Sequence, residues 1–305
     1  MQNNGLGEIL RSLRKQAGLS QEELADGICS SVSVSRIENG LQMPSSTVLE
    51  GLLNKLGAGT YQICNIYYKN EKQRAFDEKA ELVAKLISEG SLSEAKEQLI
   101  LLADSAKESN ANEQFYLLLD ASIKLYDQTS PAEILETLKR ALALTKPAID
   151  YSDFRSTLLS IREANILNVI VVALIKLDRT IEAIHLGEEL MTALKKHKSG
   201  LKEYQVIKIN LALNLAQCME IEKRYKEALM YSELAEELSI NSPEQMLLPE
   251  IEFIKAKVYH LLGNDEECSR ILKAVVPYME LIKKTRFAEL VRNYALKELQ
   301  LAIRP

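Results

Sequence analysis

The sequence predicts an all-α chain in two parts, a five-helix head and a much longer body of paired amphipathic helices. Three observations carry this. Leu19 to Leu56 fits two short helices, a tight turn and a further capped helix into under forty residues. From about residue 76 onward, apolar residues recur at helical spacing, and the segments EGSLSEA, DQTSPAEI, LDRTIEA, EKRYKEA and GNDEEC each separate an apolar helix end from a new amphipathic start. The hydrophobic content of 47%, with 12 glycines and 7 prolines in 305 residues, is ample for a large core.

The first helix runs from about Leu6 to Ala17, with Leu6, Ile9, Leu10 and Leu13 on one face, and Gly18 ends it as a left-handed cap. Ser20 with Glu23 three residues later forms a capping box that starts the second helix, anchored by Leu24 and Ile28, with Ala25 small where the third helix crosses. The third helix begins near Ser31 and reaches Asn39, where Gly40 stops it. Val34 and Ile37 face inward, and Ser33 and Arg36 outward. Pro44 and Ser45 initiate the fourth, whose core face is Val48, Leu49, Leu52, Leu53 and Leu56. Tyr61 to Arg74 suits a fifth packing helix or helical linker.

Two helices joined by a tight turn place the second at a DNA major groove, where side chains near its N-terminus reach base edges. On that geometry Ser30, Ser31 and Ser33 are candidate base contacts, and Gln21 and Arg36 candidate phosphate or base contacts. Serine discriminates bases poorly, so DNA shape and dimer spacing should supply part of the specificity. Bulk charge does not argue for nucleic acid: net charge is −5, and Met1 to Gly57 holds five basic and six acidic residues. The string SQEELADGICSSVSVSRIENG, with Pro44 four residues beyond its last glycine, resembles the XRE-type helix-turn-helix. Its short GICS turn is similar to the variant in the PlcR and Rgg regulators.

The body shows an internal repeat. In NLALNLAQCMEIEKRYKEALMYSELAEEL, Ala216 lies twelve residues before Ala228, and Ala235 seven after it; small residues there let two antiparallel helices and the next pair approach closely, the need behind the tetratricopeptide pattern. The same offsets fall on Val83, Ala95 and Leu102; on Ser122, Ile134 and Ala141; on Val171, Ala183 and Leu190; and on Ala256, Cys268 and Val275. Five pairs and a terminal helix near Arg286 to Ala302 would form a right-handed superhelix with a concave face built from first helices. The expected domains are therefore a head over 1–58, a helical linker over 59–75 and a repeat body over 76–305.

Such a groove suits an extended peptide or a partner helix. Exposed first-helix positions would be Asn165 and Asn168 in one repeat and Asn210, Asn214, Gln217 and Ile221 in the next; amide side chains pair both N–H and C=O of a peptide backbone. Phe253 and Lys257, with Asp120, Tyr126 and His260, could supply side-chain pockets and charge selection. No basic clamp for a peptide carboxylate is visible, since the first inner helix ends in Ser88 and Glu89. A single XRE-type head on five degenerate tetratricopeptide-like repeats resembles the peptide-pheromone receptors of the RRNPP group. That resemblance implies a cytoplasmic homodimer that binds an operator, expected to be palindromic, and a short imported signalling peptide, with Asn168 and Asn214 matching the family's backbone-binding asparagines. The alternative reading is a DNA-binding regulator whose body is a scaffold for a partner protein.

Other classes find little in the sequence. Cys29, Cys64, Cys218 and Cys268 lack metal or redox spacing and read as small buried hydrophobes. His185, His197 and His260 fall in unrelated repeats, and no nucleophile motif or phosphate-cradling glycine loop accompanies them, so no catalytic residue, metal or cofactor is expected. Neither a signal peptide nor an apolar membrane span is visible, which places the expected protein in the cytoplasm, away from membranes.

Overall fold

A computed structural model describes residues 4–57, 71–127, 129–195, 202–240 and 247–303. The described residues form sixteen α-helices and no strand. Four belong to the head: α1 (Asn4–Gln16), α2 (Gln21–Ala25), α3 (Ser31–Glu38) and α4 (Ser46–Leu56). The body follows with α5 (Glu71–Ser88), α6 (Leu92–Ile100), the short α7 (Ala103–Ala106), α8 (Asn110–Lys124), α9 (Pro131–Ala143), α10 (Ile161–Lys176), α11 (Thr180–Lys195), α12 (Lys202–Ile221), α13 (Tyr225–Ile240), α14 (Leu248–Leu261), α15 (Asp265–Leu281) and α16 (Thr285–Leu299). The fifth head helix expected over Tyr61 to Arg74 lies outside the described residues except for its last residues, which open α5. Among the described residues no helix is long and apolar enough to cross a membrane.

Head boundaries follow from local chemistry. Ser20, Ser30 and Ser45 keep extended backbone, and each Oγ accepts the N–H three residues on, from Glu23, Ser33 and Val48. Ser20 completes its box by donating its own N–H to Glu23 Oε2 at 2.8 Å. Leu24, Leu49, Leu52 and Leu53 are fully buried, with Leu6, Leu10, Val34, Ile37 and Leu56 around them. Ile9 departs from the expected inward face: it is exposed. Leu6 and Leu10 already fill the contact, and Ile9 stands about 100° round the helix from Leu10. Gly7 sets how closely α1 approaches α3, because a Cβ there would lie 2.5 Å from the Ile37 carbonyl oxygen.

The body repeats one turn. Gly90, Asp178, Lys223, Gly263 and Lys283 all have positive φ, between 57° and 79°. Each lies five residues before a fully buried small residue of the next helix: Ala95, Ala183, Ala228, Cys268 and Ala288. After each, the following N–H reaches back to a carbonyl of the preceding helix, as in Ser91 to Leu86 at 2.9 Å and Arg224 to Met219 at 2.8 Å. That is the six-to-one bond of a Schellman cap. The α8–α9 connection differs, with Pro131 as the first residue of α9. All fifteen offset positions read from the sequence are buried except Ser122, which is half-buried.

Two compact units result: Met1–Arg179 with Glu189–Tyr204, and Thr180–Glu188 with Gln205–Pro305. In the first, the head core takes in Leu158 from the long connection between α9 and α10, and α4 packs against α10. A second core joins Phe76, Ala80 and Val83 to Ala95, Leu99 and Leu119. In the second unit, the core gathers Ala256, Cys268, Leu272, Val276, Ala288 and Val291.

Candidate functional site

The outward face of α3 is narrow and largely uncharged. Ser30 Oγ accepts the Ser33 N–H at 3.1 Å and meets Ser33 Oγ at 2.8 Å, so the two hydroxyls occupy each other. Ser31, the first residue of α3, is half-buried. Val34 and Ile37 turn into the core, leaving Val32 and Arg36 exposed one turn apart on the opposite side. Arg36 makes no ion pair among the described residues.

Behind that face the helices are tied by one buried carboxylate. The Glu38 side chain, fully shielded from solvent, accepts two bonds from Arg14, Nε to Oε1 at 2.5 Å and Nη2 to Oε2 at 2.8 Å. Gln21 Nε2 donates to the same Oε2 at 2.9 Å, and Arg11 stands 3.6 Å away. Arg14 Nη1 also donates to the Leu19 carbonyl at 2.8 Å. Burial pushes the Glu38 carboxyl up, but the Arg14 and Gln21 hydrogen bonds and the two guanidinium charges outweigh it and hold its pKa below the usual range. One residue thus fixes the angle between α1, the start of α2 and the end of α3. Gln21 is held inward by this cluster.

A second face of the head is docked on the body. Arg162, at the start of α10, stands 3.6 Å from Glu50 of α4, donates to the Ala111 carbonyl at 3.2 Å and lies over the Phe115 ring at 4.4 Å. Burial pushes the Glu50 and Asp77 carboxyls up, and Arg162 pulls both part of the way back. Nearby, buried Lys55 donates to the Asp26 carbonyl at 2.5 Å, and Lys146 lies 3.5 Å from the Asp26 carboxylate. Burial, and then the Lys146 charge, lower the Lys55 pKa to about 8. Thr145 links this region to the capping box of α10 by donating to Glu163 Oε1 at 2.7 Å.

The expected peptide-contacting residues are spread over both units. In the first, Asn165 is half-buried. Asn168, expected to be exposed, is buried at 9%, because Ala164 and Val171 on the same side of α10 are both in the core. In the second, Gln217 and Ile221 are exposed as expected, whereas Asn210 and Asn214 are half-buried, and Asn210 Nδ2 donates to the Val206 carbonyl at 3.1 Å. Phe253 does not line an open pocket. It is buried edge-on against Phe287 and Tyr294, with centroids 5.6 and 5.3 Å away. Lys257 pairs with Glu220 at 2.6 Å, His260 Nδ1 lies 2.6 Å from Asp265, Asp120 pairs with Lys124 at 3.0 Å, and Tyr126 is exposed.

The family model described as a helix-turn-helix domain matches residues 6–61. None of the curated proteins matches the chain in sequence. Solved structures do match in fold. PlcR of Bacillus thuringiensis, in complex with the peptide PapR7 and DNA, aligns over 95% of this chain and 99% of its own at 20% identity, with a TM-score of 0.64. The chain has the PlcR fold. Apo PlcR aligns over 94% of this chain and 98% of its own at 19% identity, TM-score 0.59. The apo competence regulator ComR of Streptococcus vestibularis shares the PlcR fold over 97% of this chain and 98% of its own at 17% identity, TM-score 0.52.

Within this PlcR fold, several residues that shape the candidate sites were not singled out by sequence reasoning. Val32 carries a signal: it sits two residues before Val34, on the side of α3 opposite the core, where an apolar residue is unexpected. Glu38 and Arg162 carry none, because their partners lie 24 and 112 residues away in sequence.

Proposed function

We propose that this chain is a DNA-binding transcription regulator, a cytoplasmic homodimer whose helical body holds a short signalling peptide and thereby changes operator affinity. The observation that carries the reading is the fold likeness, over 95% of the chain, to a regulator solved with both peptide and DNA. The helix-turn-helix match over residues 6–61 supports the DNA-binding part. Within the head, Arg36 is the exposed cation on the outward side of α3, suited to a bidentate contact with a guanine edge or to a phosphate. Ser31 and the paired Ser30 and Ser33 can approach the backbone of a duplex, and Gln21 positions rather than reads.

Each unit carries its own contact candidates for a peptide: Asn165 and Asn168 on α10 in the first, and the half-buried Asn214 and exposed Gln217 on α12 in the second. Coupling between peptide and operator needs only ~1–3 kcal/mol and is reciprocal: a peptide that changes DNA affinity by some factor has its own affinity changed by the operator equally.

Fluorescence anisotropy on DNA from upstream of the chain's own gene and its neighbours, with and without short peptides encoded nearby, tests this. Specific binding shifted by one peptide in either direction is the expected result, and Arg36→Ala should weaken it by ~1–3 kcal/mol. Specific DNA binding indifferent to every peptide would move the body to the partner-protein scaffold reading.

A further inference from the structure

The outward face of α3 carries an exposed apolar group. Val32 is 64% exposed in the first turn. A β-branched residue at an exposed helix position lowers helix propensity, and the exposed isopropyl group gains nothing from burial within the head. The polar side chains beside it are already engaged, Ser30 and Ser33 with each other and with the helix end. Arg36, one turn further along the same side, is the charged group there and matches a polyanionic partner. The apolar feature on the floor of a DNA major groove is the C5-methyl of thymine.

From this juxtaposition we infer that Val32 is a specificity-determining residue that packs on a thymine methyl and selects a T·A pair at one position of the recognised site. The inference rests on the DNA-binding reading above. Val32 supplies shape selection that serine hydroxyls cannot, and Arg36 anchors the same helix face by charge.

The test uses the full chain. Duplexes are first enriched from a random library by the wild-type protein; each thymine of the enriched site is then replaced by uracil, which removes the methyl and leaves the Watson–Crick edge intact. Wild type should lose about fourfold in affinity at one such position, the worth of one buried methyl group. Val32→Ala should bind the unsubstituted site about as weakly as wild type binds that uracil variant, and should be indifferent to the replacement. Since Val32 is exposed, its truncation opens no cavity, and an unchanged thermal midpoint checks this. If wild type tolerates every uracil, or Val32→Ala remains sensitive at the same position, the inference is overturned while DNA binding stands. If no duplex is enriched at all, the DNA-binding reading falls and the Val32 assignment falls with it.

Discussion

Glu38 shows how much can depend on one carboxylate. A buried charge is costly unless it is paired and hydrogen-bonded, and Glu38 meets both conditions through Arg14, Gln21 and Arg11. Removing its charge would leave Arg14 without its partner, so Glu38→Gln should destabilise the head by about 3 kcal/mol at pH 7, measured by urea unfolding. Its pKa is depressed in the folded state. The contribution is therefore fully present above the unfolded carboxylate pKa and is lost as pH falls through the folded one. The gap between wild type and Glu38→Gln should accordingly close under acid. Repeating the titration at pH 7 and at pH 3 checks both points, and a gap that is independent of pH would contradict the pairing. None of this was legible in the sequence, where Glu38 counts as one acid among six. The caps at Ser20 and Ser45 were legible because donor and acceptor lie three residues apart and any helix start presents the same bonds, whereas Ser30, expected at a base edge, caps α3. Phe253 was misplaced for the opposite reason: the aromatic partners that bury it, Phe287 and Tyr294, come from a different helix.

At the scale of elements, the recurring left-handed turn does most to pace the body. Where the turn residue is Gly90 or Gly263, the conformation costs little; at Asp178, Lys223 and Lys283 a Cβ is forced into it. Nothing stands within 4 Å of a Cβ built on Gly263, so Gly263→Ala tests the backbone alone. It should destabilise the second unit by about 1 kcal/mol, and Lys223→Gly should act in the opposite sense by a smaller amount, both read from the guanidinium chloride midpoint. The five helix pairs and the terminal helix were legible, because period and break signals are local. The short α7 and the long connection between α9 and α10 were not, since neither follows the repeat offsets. In that connection Phe154 is buried, and its N–H and that of Arg155 donate to Glu189 at 3.2 and 3.0 Å, bonds that only the assembled first unit can offer.

Taken as a molecule, the chain is less modular than its sequence suggests. A head over 1–58 reads as self-contained, yet its core includes Leu158, and Glu50 and Asp26 face cations of the body. Leu158→Ala should cost about 2–3 kcal/mol. The loss should appear as faster amide exchange within the head's own helices, at Leu24 and Leu53, a hundred residues or more from the substitution. Exchange altered only near residue 158 would argue that the docking is passive. The docked side of the head, built from Asp26, Glu50 and Lys55, is distinct from the outward side of α3, so anchoring leaves Val32 and Arg36 exposed.

The shared core also bears on how such a chain can be recombined. Cutting at Gly57 and attaching a different reader would strand Leu158 without its pocket and Arg162 without Glu50. A hybrid that keeps its stability must therefore inherit the stretch from Thr145 to Arg162 together with the head. The seam along which the head can be exchanged lies inside the body, well past the point where the helix-turn-helix match ends.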